Sequence, residues 1–232
     1  MATRGDICAV AIAETFRGDG AIMASAMGPM PKIGARLAQA TFEPDLMMTD
    51  GIATMIDGDG EVEAWMPFSK VFDTLWNAKR HVMMGASQID RFGNQNISCL
   101  GDHAKPKVQL LGSRGAPGNT ICHPTSYWVG RHTARVFVPS VDMVSGIGTN
   151  NGAYEIRRVI TNLGVFDFAS ASGTMRVRSL HPGVTFEEAQ EATGFAIERP
   201  DGDIPVSREP TDEELTVLER WDPGATIRGR IA

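Results

Sequence analysis

Cysteine is scarce in this 232-residue chain: Cys8, Cys99 and Cys122 are far apart and odd in number. No Cys-x-x-Cys pair occurs, which excludes the usual zinc and thioredoxin-like arrangements and leaves free, mostly buried thiols in a reducing compartment as the expectation. A Cys122 nucleophile beside His123 is disfavoured, because neighbours on a strand point to opposite faces. His81, His103, His123, His132 and His181 show neither a His-x-His nor a His-x-x-x-His spacing, so no metal site is predicted and each is read as structural or solvated. Basic residues are also in deficit. There are 22 Lys plus Arg against 28 Asp plus Glu, a net charge of −6, the reverse of a nucleic-acid surface. No apolar run is long enough to span a bilayer, and the first six residues lead into no apolar segment with a cleavage signal. These absences predict a cytoplasmic protein with no nucleic-acid or membrane partner.

What remains is ordinary for a globular chain, 42% hydrophobic and 22% charged, and long enough for one large domain or two small ones. A helix is predicted over residues 6–16 with Asp6 as N-cap. A strand follows at Ala21–Ser25, then a helix through Ile33, Ala35, Leu37 and Ala38 with Pro31 in its first turn. Leu46–Met48 reads as a second strand, ending at Thr49-Asp50-Gly51. Asp57-Gly58-Asp59-Gly60 reads as a turn, since the downstream carboxylates of a calcium loop are missing. Ser69 is predicted to cap a helix carrying Val71, Phe72, Leu75 and Trp76. Val108–Leu111 and Arg135–Val138 read as strands, as do Arg157–Thr161, Val165–Phe168 and Met175–Leu180. Thr185 and Thr211 each open a capping box, Thr-x-x-Glu, for a late helix, the second carrying Leu215, Leu218 and Trp221. A polar linker lies between them. Strands alternating with helices early and clustering later predict an α/β fold, an open, mostly parallel sheet flanked by helices with antiparallel additions.

The most informative stretch runs from Met84 to Asn96. A buried strand, His81–Met84, stops at Gly85. Gly85, Ala86 and Ser87 are small enough for another group to approach the backbone. Gln88 adds an amide that donates and accepts. Asp90–Asn94 reads as a tight turn with Gly93 or Asn94 at positive φ. The residues alone leave two readings open: a plain hairpin turn, or the ligand-facing edge of an α/β sheet. A second Gly-rich loop, Gly112–Asn119, exposes amides and Arg114 but lacks the Lys-Ser/Thr of a P-loop.

Three segments carry a family resemblance. Gly85-Ala86-Ser87-Gln88-Ile89-Asp90-Arg91-Phe92-Gly93-Asn94 resembles the Gly-x-x-Gln-Val/Ile-Asp-x-x-Gly-Asn segment of the β subunits of family I coenzyme A transferases. Val159–Phe168 is similar to their Val-Thr-Asp-Leu-Ala-Val-Phe-Asp segment. His181-Pro182-Gly183-Val184-Thr185, with Glu187-Glu188 and Thr193-Gly194, is similar to their Pro-Gly-Val-Thr-x-Glu-Glu segment. The resemblance implies a single domain over residues 1–232 with a C-terminal helical tail about 205–232. It also implies a homologous α subunit as partner in an α2β2 heterotetramer, with the active site at their interface.

One departure bears on chemistry. Where those β subunits carry Ser-Glu-Asn-Gly or Ser-Glu-Ser-Gly, this chain has Met48-Thr49-Asp50-Gly51, so Thr49 stands in the place of the thioester-carrying glutamate. Threonine forms no acyl anhydride, and Asp50, one position off, would face the other way. A branch of the family shows this pattern: the steroid ring-opening hydrolases of cholesterol catabolism, which hydrolyse a carbon–carbon bond of a cyclic coenzyme A thioester with a glutamate from the α subunit. The resemblance therefore implies no catalytic residue certain in this chain. Thr49, Gly85, Ala86, Gln88, Arg114, Asn119 and Trp128 are the substrate or oxyanion candidates. No cofactor is expected, coenzyme A being part of the substrate. Among Trp65, Trp76, Tyr127 and Trp128, Trp128 suits a pocket for a bulky alicyclic group best, and Trp76 reads as core. A true transferase of glutaconate or 3-oxoacid type and a non-catalytic stabilising subunit are the rival readings.

Overall fold

The computed structural model describes residues 2–49, 54–67, 70 and 80–232. The chain packs as two compact units, one formed by the residues up to 84 with 208–232, the other by 85–207. The predicted helix at Ser69, with Val71, Phe72, Leu75 and Trp76, lies outside the described residues, as do Asp50 and Gly51.

The first unit opens with helix α1, Arg4–Thr15, whose N-cap is Thr3. Asp6, expected as the cap, instead sits at the third helical position. Its N–H donates to Thr3 Oγ1 (3.2 Å) while its carboxylate accepts from the Thr3 N–H (2.8 Å). A reciprocal box satisfies two otherwise orphaned donors, and that displaces the helix start by three residues. Strand β1 is Met23–Ala26, and helix α2, Pro29–Thr41, carries Pro31 in its first turn as expected. Ile33, Ala35, Leu37 and Ala38 are buried. Gly34 lets α2 lie against α1, since a Cβ there would fall 2.2 Å from Ile12 Cγ2. Strands β2 (Met47–Thr49), β3 (Thr54–Ile56), β4 (Val62–Trp65) and β5 (Arg80–Gly85) follow. β1 pairs in parallel with β2 and β5, while β2, β3 and β4 run antiparallel. Asp57 Oδ1 accepts from the N–H groups of Asp59 and Glu61, so the Asp-Gly-Asp-Gly segment is the predicted turn.

The second unit contains two small hairpins, β6 (Gln88–Ile89) with β7 (Gln95–Asn96), and β8 (Cys99–Leu100) with β9 (Val108–Gln109). Helix α3 (Ala116–Cys122) and strands β10 (Pro124–Val129), β11 (Glu155–Thr161), β12 (Gly164–Asp167) and β13 (Arg176–Leu180) follow. β10 and β11 are parallel; β11, β12 and β13 are antiparallel. Helix α4 (Phe186–Glu191) starts at the predicted Thr185 box. In the first unit the predicted Thr211 box opens helix α5, Asp212–Trp221.

Three further sequence expectations need correction. Val108–Leu111 shrinks to an exposed two-residue strand, paired among the described residues with β8 alone. Arg135–Val138 is not a strand, because the N–H groups of Val136 and Phe137 both turn back onto the Thr133 carbonyl, leaving a single bridge from Phe137 to Ile89. The Gly112–Asn119 loop ends early, at α3, which tolerates Pro117 because a first-turn proline withholds no intrahelical bond.

Histidine is structural where it is buried. His81 Nδ1 meets Asp19 Oδ2 at 2.7 Å, with its ring tilted on Phe16. His132 stacks on Phe137 with ring centroids 3.8 Å apart, its two nitrogens against the hydroxyls of Thr161 (3.1 Å) and Thr193 (2.9 Å). Burial pushes the His132 imidazole down to about 3. Cys8 and Cys99 are buried and Cys122 is exposed, all free. No helix among the described residues is long and apolar enough to cross a membrane.

Candidate functional site

The second unit builds most of the candidate site around the β6–β7 hairpin. Asp90 Oδ1 accepts from the N–H groups of Phe92 (3.0 Å) and Asn94 (3.1 Å), and Gly93 takes φ 78. A side chain at Gly93 is doubly excluded, by that conformation and by Phe168, whose Cζ would lie 2.8 Å from its Cβ. Asn94 donates to the Asp90 carboxylate (2.9 Å) and accepts from the Gly148 N–H (2.7 Å), tying the turn to the loop before β11. The tight turn predicted at Asp90–Asn94 is therefore present, at a hairpin tip.

Gln88 is inside this brace. Its Oε1 accepts from Asn96 Nδ2 (2.7 Å) and from the Asp142 N–H (2.9 Å), and its Nε2 donates to the Asp142 carboxylate (3.1 Å). Asp142 also accepts from the Gly101 N–H (2.8 Å), so one amide and one carboxylate join two hairpins and a distant loop. Gln95 Nε2 donates to the Gly85 carbonyl, which fixes the backbone of the Gly85-Ala86 step. Gly85 is exposed and Ala86 partly buried. A Cβ on Gly85 would lie 4.0 Å from the Trp128 carbonyl. The structure thus brings Gly85 and Trp128 together, with Gln88 as scaffold behind them.

Trp128 lies on β10 in register with Ile160 of β11. Tyr127, its neighbour, is fully buried and donates its hydroxyl to the Gly93 carbonyl (3.2 Å). Burial drives the Tyr127 phenol far above its ordinary range. Alternation along the strand leaves Trp128, partly exposed, on the other face. Tyr127 is therefore a core residue, whereas Trp128 is partly exposed. Trp65 is exposed on β4.

The Gly112–Gly115 loop is pinned by hydroxyls. Ser98 Oγ bonds Ser113 Oγ (2.9 Å) and Ser145 Oγ (2.7 Å), and the Gly112 N–H donates to the Ile97 carbonyl (2.7 Å). Arg114 stands exposed on the loop at φ 50, its Nε donating to the Leu111 carbonyl (3.3 Å). Asn119 is buried in α3, where its N–H donates to the Gly115 carbonyl (2.9 Å) and its carbonyl accepts from the Thr125 hydroxyl (3.3 Å). Arg114 therefore projects outward while Asn119 holds the helix against β10. Sequence reasoning missed Asp142, Asn96 and the Ser98, Ser113 and Ser145 set; Asp142 and Ser145 have partners 41 to 54 residues away, whereas Asn96 bonds Gln88, Cys99 and Ser98 nearby. Thr49 belongs to the first unit, as the last residue of β2, where its backbone pairs with Met55.

An open sheet with helical flanks and a braced Gly-x-x-Gln-Ile-Asp-x-x-Gly-Asn hairpin defines a recognisable class, and the chain belongs to the coenzyme A transferase family, which matches residues 48–192. Within it, the chain is 51% identical to the "Cholesterol ring-cleaving hydrolase IpdB subunit" of Rhodococcus jostii (strain RHA1), covering 98% of this chain and 95% of that relative. It is 47% identical to the protein of the same name from Mycobacterium tuberculosis (strain ATCC 25618 / H37Rv), over 99% of this chain and 98% of the relative. The crystal structure of Rhodococcus jostii RHA1 IpdAB superposes on 99% of this chain and 98% of its own with a TM-score of 0.92 at 49% identity.

Proposed function

We propose that this chain is the β subunit of a heteromeric hydrolase that opens a carbon ring of a steroid-derived coenzyme A thioester. The observation that carries the reading is the 51% identity, spread over 98% of the chain, to a subunit named for cholesterol ring cleavage. The placement of Thr49 at the end of β2, where the resemblance puts the transferases' glutamate, supports hydrolysis over transfer.

In this mechanism a glutamate of the homologous α subunit acts as general base on water, which attacks a ring ketone of the substrate. The tetrahedral adduct collapses as in a retro-Claisen reaction. The carbon–carbon bond breaks, its electron pair leaves as an enolate that takes up the proton, and the former ketone carbon becomes a carboxylate. The backbone around Gly85 and Ala86, held by the Gln95 bond to the Gly85 carbonyl, would stabilise the developing oxyanion or the thioester carbonyl. Arg114 supplies an exposed cation for polar substrate groups, and Trp128 an apolar face for the alicyclic body. Gln88 and Asn119 position these groups from behind. No cofactor is required, coenzyme A arriving with the substrate, and the working assembly is an α2β2 heterotetramer in the cytoplasm.

The test uses the chain reconstituted with its α subunit. Steroid-derived ring thioesters should be hydrolysed with no enzyme thioester trapped by borohydride or hydroxylamine. A trapped thioester would make the complex a transferase. Turnover unchanged in both Arg114→Ala and Trp128→Ala, with normal assembly, would reduce this chain to a stabilising subunit.

A further inference from the structure

Gln95 sits on β7 with no exposed surface, and its backbone is tied at both ends. Its N–H donates to the Gly146 carbonyl (2.8 Å), and its carbonyl accepts from the N–H groups of Ser145 (2.8 Å) and Gly146 (3.1 Å). Its side chain reaches back ten residues, Nε2 donating to the Gly85 carbonyl. A carbonyl only accepts, so the amide nitrogen must face it and Oε1 is turned elsewhere. There Oε1 is buried and meets no donor among the described residues. Gly146 leaves room for it, since a Cβ at that glycine would lie 3.0 Å from Oε1.

A buried amide with one end unsatisfied is costly. The Gly85 carbonyl does not require it as a partner, because Gly85 is exposed and its carbonyl could turn to water instead. What the bond fixes is the orientation of one peptide. The Gly85–Ala86 bond is trans and planar, so its N–H points opposite to its C=O. With the carbonyl held toward Gln95, the Ala86 N–H is aimed away from that amide. It donates to no group among the described residues, whereas the next N–H, of Ser87, is taken by the Asn96 carbonyl (3.0 Å). One free donor therefore stands on a locked peptide plane, an arrangement that stabilises developing negative charge without reorganising.

We propose that Gln95 is a positioning residue of the hydrolysis, holding the Gly85–Ala86 peptide so that the Ala86 N–H donates to the ring-ketone oxygen as it becomes an oxyanion. The inference rests on the hydrolase reading above, which supplies that ketone. Water's oxygen bonds to the ketone carbon, the carbonyl π pair moves onto the ketone oxygen, and the α subunit's glutamate takes the proton. Gln95 touches none of these atoms and acts through the peptide alone. The role accounts for a glutamine where an apolar side chain would leave no orphaned oxygen.

Steady-state turnover of the reconstituted complex tests this with Gln95→Leu and Gln95→Glu, each checked for folding by melting curves at every pH used. Gln95→Leu, which frees the peptide plane, should lower kcat at least about tenfold with KM within about threefold. Gln95→Glu should be conditional. Protonated, its carboxyl O–H donates to Gly85 as the amide does; ionised, it only accepts and repels the carbonyl. The ratio of its kcat to that of wild type should therefore be within about threefold of one at about pH 5.5 and fall at least about tenfold by about pH 8.5, burial placing the transition above the ordinary carboxylate range. A purely structural side chain would shift melting points and leave that ratio flat. A flat Gln95→Glu ratio, or folded Gln95→Leu with kcat within about threefold of wild type, would overturn the assignment; should Gln95→Leu not fold, Gln95→Glu decides alone. Coenzyme A transfer in place of hydrolysis would instead refute the hydrolase reading, an outcome visible in the wild-type complex before any substitution.

Discussion

Gln88 and Asp142, 54 residues apart in sequence, exchange two hydrogen bonds, backbone N–H to amide oxygen at 2.9 Å and amide nitrogen to carboxylate at 3.1 Å. A pair of bonds between one side chain and one residue fixes both translation and tilt, so the loop carrying Asp142 sets the attitude of the hairpin that follows Gly85. Gln88 is therefore a positioning residue.

Gln88→Leu should strand the Asp142 N–H and the Asn96 amide and cost about 1–3 kcal/mol of stability. Denaturant midpoints of the reconstituted complex measure the loss, while turnover per folded complex should stay within several-fold of wild type. A collapse in turnover at unchanged stability would place Gln88 against the substrate instead.

Thr49→Ala should keep a substantial fraction of hydrolysis, because the mechanism proposed above takes its base from the α subunit. Thr49→Glu should not install coenzyme A transfer, since a nucleophile requires its surrounding shell. Steady-state rates of both variants, with a parallel assay for transfer to a free acid, provide the check. A loss in Thr49→Ala of several kcal/mol in transition-state stabilisation would show that this subunit supplies chemistry.

His132 should make the fold acid-sensitive. Its pKa is held at about 3 by burial, below the ordinary value of about 6.5. Below that ordinary value the unfolded chain takes up a proton that the folded chain refuses. Stability from this group is complete above about pH 6.5 and falls by up to about 1.4 kcal/mol per unit as pH drops toward 3. Urea unfolding at pH 7.5, 6 and 5 should show this slope in wild type and a shallower one in His132→Gln. Parallel slopes would assign the effect to other groups.

Arg228→Met should cost about 3–5 kcal/mol by leaving two buried carboxylates without their cation. In the native chain Arg228 meets Asp6 at 2.8 Å and Asp222 at 3.1 Å. Gly5→Ala should also destabilise, since its Cβ would lie 2.1 Å from the Arg228 carbonyl. The changes break different contacts, one of the guanidinium and one of the backbone, but both loosen the same segment's seat on α1, so the double variant should lose less than the sum of the singles in a thermodynamic cycle.

How legible these features were in the sequence follows from how far apart the interacting groups lie. The Thr185 and Thr211 boxes were readable because each is a reciprocal pair of bonds three residues apart. The α1 start was misread by three residues because Asp6 fits a cap as well as the third position. Strand β10 escaped detection because its buried residues include Thr125 and Ser126, polar letters in an apolar slot, with Thr125 satisfied by the carbonyls of Asn119 and His123. The hairpin motif was visible, but its division of labour was not. Gln88 reads as a ligand donor, while its amide oxygen accepts from Asn96 and Asp142 and its nitrogen donates to the Asp142 carboxylate, and only folding brings Ser98, Ser113 and Ser145 into one chain of hydroxyls. Asp167 reads as a family signature in sequence, whereas in space it is a buried carboxylate held by Arg176 across the β12–β13 hairpin.

Strand β10 also has a practical consequence. Tyr127 is locked into the interior by its hydroxyl on Gly93, while Trp128, one residue on, faces the opposite side and is partly open. On the function proposed above, stability would depend on position 127 and selectivity on position 128, with almost no overlap between them. A designer seeking to change which ring systems are accepted can randomise position 128 in a small library, leave position 127 untouched, and expect most members to survive expression and reveal differences in preference rather than in folding.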